Sequence, residues 1–149
     1  MLKIVSCLAV LFVALNVDAQ TDHAWPQFLG PNRNGISAET GLLDRWPAGG
    51  PKEIWRARGG VGMSGLAISR NRLLTMIQTG GKQHVICLDA NTGKTIWQTP
   101  VAPEYRNGQG KGPRATPTIA GNSVFAFTGE GILVALRLAD GKILWSHNP

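Results

Sequence analysis

From about residue 65 the chain alternates short apolar or alternating runs with turn residues. The first set of runs is 65–69, 72–78, 84–89 and 95–99. The second is 116–120, 123–128, 132–138 and 143–147. Between them stand Arg70-Asn71, Thr79-Gly80-Gly81, Asn91-Thr92-Gly93, Gly121-Asn122, Gly129-Glu130-Gly131 and Asp140-Gly141. The runs are rich in β-branched and aromatic residues and too short for helical repeats. Asp-Gly and Gly-Asn favour tight hairpins, because these residues adopt positive φ at little cost. The pattern predicts two units of four antiparallel strands.

The units are copies of one another. Leu88 through Trp97 recurs as Leu136 through Trp145, with Leu, Gly, Lys and Trp matched at a spacing of 48. Upstream, Ile68-Ser69-Arg70-Asn71-Arg72-Leu73-Leu74 aligns with Ile119-Ala120-Gly121-Asn122-Ser123-Val124-Phe125 at a spacing of 51. The difference falls in a longer loop near Gln78 to Gln83. Ile54-Trp55 precedes Ile96-Trp97 by 42 residues, so Trp55, Trp97 and Trp145 end successive units. Four-stranded units at this period predict an all-β fold built from propeller blades.

Cys87 through Trp97 resembles the tryptophan-docking motif of the pyrroloquinoline-quinone (PQQ) repeat family, A-x-D-x-x-T-G-x-x-x-W. Asp89, Thr92, Gly93 and Trp97 match, and Cys87 replaces the initial Ala with another small residue. The second copy matches at Ala135, Gly141 and Trp145, and departs at Arg137 and Asp140, where Asp and Thr are expected. Trp25-Pro26-Gln27-Phe28-Leu29-Gly30-Pro31 through Gly35 is similar to the leader of large secreted bacterial members, and Gly112 through Pro117 also resembles that branch. The resemblance implies a β-propeller in which Trp from an outer strand packs on the next blade. It also implies that 52–58, carrying Trp55, is an outer strand that closes the ring.

On this reading residues 20–50 are a leader and 51–149 are propeller repeats, with blade 1 at about 60–101 and blade 2 at about 114–149. Family rings have about seven or eight blades, and closure needs at least about four. The expectation is therefore a partial ring, a fragment of about two blades plus the closing strand.

The first 19 residues have a different character. Lys3 precedes the apolar run Ile4 to Leu15, and Val17-Asp18-Ala19 ends on a small residue. This is the pattern of a cleavable signal peptide, with export to the periplasm or beyond. The run is too short to span a bilayer, which takes about 20 residues. Cys7 lies inside the run, too early for a lipidation site. Removing the signal leaves Cys87 alone, in the apolar run Val85-Ile86-Cys87-Leu88, so no internal disulfide is expected and the thiol reads as buried and inert.

Composition adds little more. The net charge is +6. A basic surface suits an anionic partner such as an acidic polysaccharide, although charge by itself speaks first to solubility; nucleic acid is not expected. Gly60-Val61-Gly62-Met63-Ser64-Gly65 has the G-x-G-x-x-G spacing, but a strand-like run follows it, where a dinucleotide site needs a helix. The loop 103–113, with Arg114 beyond it, offers Tyr105, Arg106, Lys111 and Arg114 as a ligand loop on a propeller face. His23, His84 and His147 are isolated, and no motif marks a catalytic or metal-binding residue.

Two functions remain open. One is a non-catalytic scaffold that binds another protein through its propeller faces, similar in class to the BamB-like outer-membrane assembly lipoproteins. The other is part of a PQQ- and calcium-dependent dehydrogenase of alcohols or sugars, whose site other blades would supply.

Overall fold

The computed structural model describes residues 24–149. The predicted signal peptide, Cys7 and His23 lie outside the described residues. The described chain is all-β. Its first sheet joins β1 (Ala67–Ser69), β2 (Arg72–Thr79), β3 (Lys82–Asp89) and β4 (Thr95–Pro103) in chain order. A two-residue-strand hairpin follows, β5 (Arg106–Asn107) with β6 (Gly110–Lys111). The second sheet joins β7 (Thr118–Ala120), β8 (Ser123–Phe127), β9 (Leu133–Arg137) and β10 (Ile143–His147), again in chain order. All pairings are antiparallel. Two meandering four-stranded sheets in sequence are propeller blades, and the described chain is an arc of a propeller.

The meander sends the turns to two opposite ends. Arg70-Asn71, Asn91 to Gly93, Gly121-Asn122 and Asp140-Gly141 lie at one end. Gly80-Gly81, Gly129 to Gly131 and the β4–β7 connection lie at the other. The two ends carry different chemistry, as described below.

Alternation places the core between the sheets. Leu74 and Met76 of β2, and Val85 and Cys87 of β3, meet Ile119, Val124, Ala126, Val134 and Leu136, with Trp97 between the sheets. On β3 the other face is buried as well, through Ile86 and Leu88, which accounts for its unbroken apolar run.

The leader does more than precede the blades. Trp25 and Ile68 exchange backbone hydrogen bonds of 2.9 Å, and the Ile119 N–H donates to the Pro26 carbonyl at 2.8 Å. Trp25-Pro26 therefore stitches β1 to β7. Gly30 (φ 79°) lies against the Trp25 ring so closely that a Cβ there would fall 2.7 Å from Cζ3. Residues 52–58 make no ladder, because no strand stands beside them among the described residues. Trp55 is nonetheless seated on the first blade.

Candidate interaction site

The repeat motif builds a seam between blades. In the first copy the Asp89 carboxylate (Oδ1) accepts from the Asn91 and Thr92 amides at 3.1 and 2.9 Å and from the Thr92 hydroxyl at 2.9 Å. The Gly93 N–H closes the turn onto the Asp89 carbonyl at 2.8 Å. The Thr92 hydroxyl foremost, with the amides and Asn71, holds the Asp89 carboxyl below its ordinary value. The second copy keeps the backbone frame, with Gly141 N–H to the Arg137 carbonyl at 2.9 Å. Its acid has moved three residues along. Asp140 accepts from the Lys142 amide at 3.1 Å and from Arg137 Nε at 3.0 Å. The departures at Arg137 and Asp140 thus answer one another: an ion pair spans the turn where an Asp–Thr hydrogen bond does so in the first copy.

Each turn receives a Trp. Trp97 of β4 is only 8% exposed, donates from Nε1 to the Leu138 carbonyl at 2.9 Å and covers Gly141. Trp55 donates to the Ala90 carbonyl at 2.9 Å and covers Gly93 in the same way. Trp145 is 46% exposed and tilts against Phe125, ring centroids 6.0 Å apart. Within each blade the Trp stands across the ladder from the small residue of its motif, Cys87 opposite Trp97 and Ala135 opposite Trp145. The Cys87 thiol is fully buried, and burial pushes it up to about 11.

At the other end, the ligand-loop residues fall into two groups. Tyr105 and Arg114 come together: the guanidinium carbon lies 5.5 Å from the ring centroid. Arg114 also donates to Asn107 Oδ1, and Asn107 Nδ2 donates to the Tyr105 hydroxyl, each at 2.9 Å. With Ala115, Phe127, Thr128 and Gly129 the pair lines a cleft of about 200 Å³. Arg106 and Lys111 instead face each other across the β5–β6 hairpin and are exposed. Arg106 pairs with Glu104 at 3.1 Å.

Two glutamines fix this loop, and no sequence motif marks either. Gln78 Oε1 accepts from the Tyr105 amide at 2.7 Å. Gln83 is fully buried. Its amide donates to the Pro103 carbonyl at 2.9 Å and to Glu130 at 2.5 Å, and its carbonyl accepts from the Gly129 amide at 3.1 Å. Gln83 therefore ties both blades and the loop together. The repeat spacing reads Gln78 to Gln83 as a longer loop, whereas both glutamines stand in strands that close on the two-residue turn Gly80-Gly81 and only the packed blades show what their side chains meet.

The glycine-rich stretch 60–65 is part of the blade frame. Val61 and Gln78 exchange backbone hydrogen bonds, and the Ser64 hydroxyl donates to the Ala115 carbonyl at 2.8 Å while accepting from the Met76 amide. No helix follows it. Among the described residues no three of His, Cys, Asp and Glu converge. Nor does any described helix have the length and apolarity to cross a membrane.

The model of a protein family described as outer membrane protein assembly factor BamB matches residues 42–149. The chain belongs to this family of PQQ-like repeat propellers. Among solved structures, BamB from Moraxella catarrhalis is 24% identical, with a TM-score of 0.43 over 61% of this chain and 23% of that one. A europium-containing methanol dehydrogenase is also 24% identical, with a TM-score of 0.46 over 56% of this chain and 15% of that one. The chain thus spans less than a quarter of either. No curated protein sequence matches it. The BamB-family match includes both Trp-docked turns and the glutamine-anchored loop.

Proposed function

We propose that this BamB-family chain serves as a non-catalytic scaffold that is exported by its N-terminal signal peptide and binds another protein through the loop end of its blades. The observation that carries the reading is the anchored aromatic and cationic patch. The Tyr105–Arg114 pair stands at this end, on a surface held by the buried amide of Gln83. An aromatic and Arg pair on a rigid frame is the composition of protein-binding hot spots. A rigid frame also lowers the ordering cost of association.

The test uses the native exported protein at its natural length. A photo-crosslinking residue is placed at Lys111 in one sample and at Lys142, at the opposite end, in another. A discrete protein adduct from the first position, weakened by Arg114→Ala, is expected. Calorimetric titration with PQQ and calcium runs alongside. Saturable, calcium-dependent binding near one PQQ per chain would replace the scaffold reading with the dehydrogenase one.

A further inference from the structure

The opposite end of the blades carries a second feature. Arg70, Arg72 and Arg137 line a cleft of about 320 Å³ between the two blades, together with Asn122, Leu138 and Ala139. Its floor is fixed by the seam, since the Leu138 carbonyl is the acceptor for Trp97 and the Leu138 amide donates to the Asn122 carbonyl at 2.9 Å.

None of the three arginines belongs to the repeat frame. At the equivalent positions the other copy has Gly121, Ser123 and Asp89. Arg70 is held against its own backbone preference, at φ 49°, where its counterpart Gly121 takes φ 57° freely. A side chain kept in the left-handed region is strained, and here the second copy shows the unstrained choice. Arg70 Nη1 reaches across the blades to Asn122 Oδ1 at 3.1 Å, so the side chain points along the cleft.

Among the described residues the charge is not neutralised. Arg137 shares Asp140 through Nε at 3.0 Å. Among the described residues Arg70 bonds a neutral amide. Arg72 stands across the ladder from Asp89, but that carboxylate is directed into its own turn, toward Asn91, Thr92 and Asn71. Even with both acids counted, the cleft keeps a net positive charge. Asp140 also shows the kind of group that sits well here, a carboxylate on the edge of a guanidinium.

We propose that the Arg70–Arg72–Arg137 cleft is a binding site for carboxylate side chains of an acidic peptide segment in a partner. The site lies at the end away from Tyr105 and does not depend on what that end binds. A short oligo-glutamate peptide is the probe, titrated into the full chain by fluorescence anisotropy, with oligo-glutamine and inorganic phosphate as parallel arms. Arg70→Gly and Arg72→Ser install the residues of the second copy, so the double variant should unfold at the same or a higher denaturant concentration. It should bind oligo-glutamate at least about fivefold more weakly. Lys82→Gln removes a charge at the other end of β3 and should leave the affinity unchanged. Equal weakening by Lys82→Gln would mean attraction to net charge and overturn the site. Absence of oligo-glutamate binding would overturn it too. Phosphate binding without oligo-glutamate binding would overturn the peptide assignment.

Discussion

Trp97 and Gly141 are built for each other: the indole lies on the glycine's α-carbon, and a Cβ added there would fall 2.6 Å from Trp97 Cδ2. Gly141 also has φ +71°, a region that disfavours L side chains. The relationship joins outer strand β4 of one blade to the β9–β10 turn of the next. Trp97 adds a polar contact to this apolar one, donating to the Leu138 carbonyl, and Thr99 Oγ1 donates to the Gly141 carbonyl at 2.8 Å beside it.

Gly141→Ala should therefore destabilise the chain by about 3 kcal/mol, combining backbone strain with overpacking. Gly121→Ala is the control. That glycine also has positive φ, but nothing lies within 4 Å of its added Cβ, so the cost should be about 1 kcal/mol. Urea unfolding of both variants isolates the crowding at Gly141, where Trp97 and Thr99 Oγ1 both lie within 2.6 Å of the added Cβ. Equal losses would show that this crowding adds nothing.

Trp97 and Trp145 should behave differently in this chain. Trp97→Ala removes a buried ring and orphans the Leu138 carbonyl, and should cost about 3–5 kcal/mol. Trp97→Phe keeps most of the area and loses the hydrogen bond, for about 1–2 kcal/mol. Trp145→Ala acts on a half-exposed ring and should cost roughly 1 kcal/mol or less. Chemical unfolding monitored by far-UV circular dichroism ranks the three.

Cys87 should resist reaction. With its pKa raised to about 11 by burial, the thiol stays protonated at neutral pH and inaccessible to reagents. Alkylation by iodoacetamide should be slow in the native chain and fast in denaturant. The linkage adds a pH effect. The unfolded thiol ionises from its ordinary value of 9.0, before the folded one does, so stability should fall as pH rises from about 9 to about 11. Cys87→Ala should flatten that slope.

Asp89 should act at the acid end. Its folded carboxyl is held below the ordinary 3.8, first by the Thr92 hydroxyl. On acidification the unfolded state takes up the proton first. The stability Asp89 contributes is present above about pH 3.8 and is lost as pH falls through its lower folded value. Asp89→Asn should lower the denaturant midpoint at neutral pH and reduce its dependence on pH below 4. An unchanged acid limb would assign it to other carboxyls.

Much of this was legible from the chain itself. The repeated turns and the Trp spacing specify strands, their order and the blade period, because hairpin turns and alternation are local properties. The same locality reveals the Asp89–Thr92–Gly93 turn. The Arg137–Asp140 exchange looked like two departures from a motif, yet the residues lie three apart and make one ion pair across the same turn.

The sequence by itself thus determined the elements, the repeat frame and the family. Tertiary structure decided what stands beside what. Gln83 could be assigned to the seam only once both blades and the β4–β7 connection were packed, since its partners Pro103, Gly129 and Glu130 are remote in the chain. Trp25 became a stitch between β1 and β7 for the same reason. The arginine cleft is drawn from three turns and strands that no local pattern relates. Local chemistry sets backbone conformation, whereas burial, hydrogen-bond satisfaction and charge convergence depend on neighbours that only the closed contact between blades supplies.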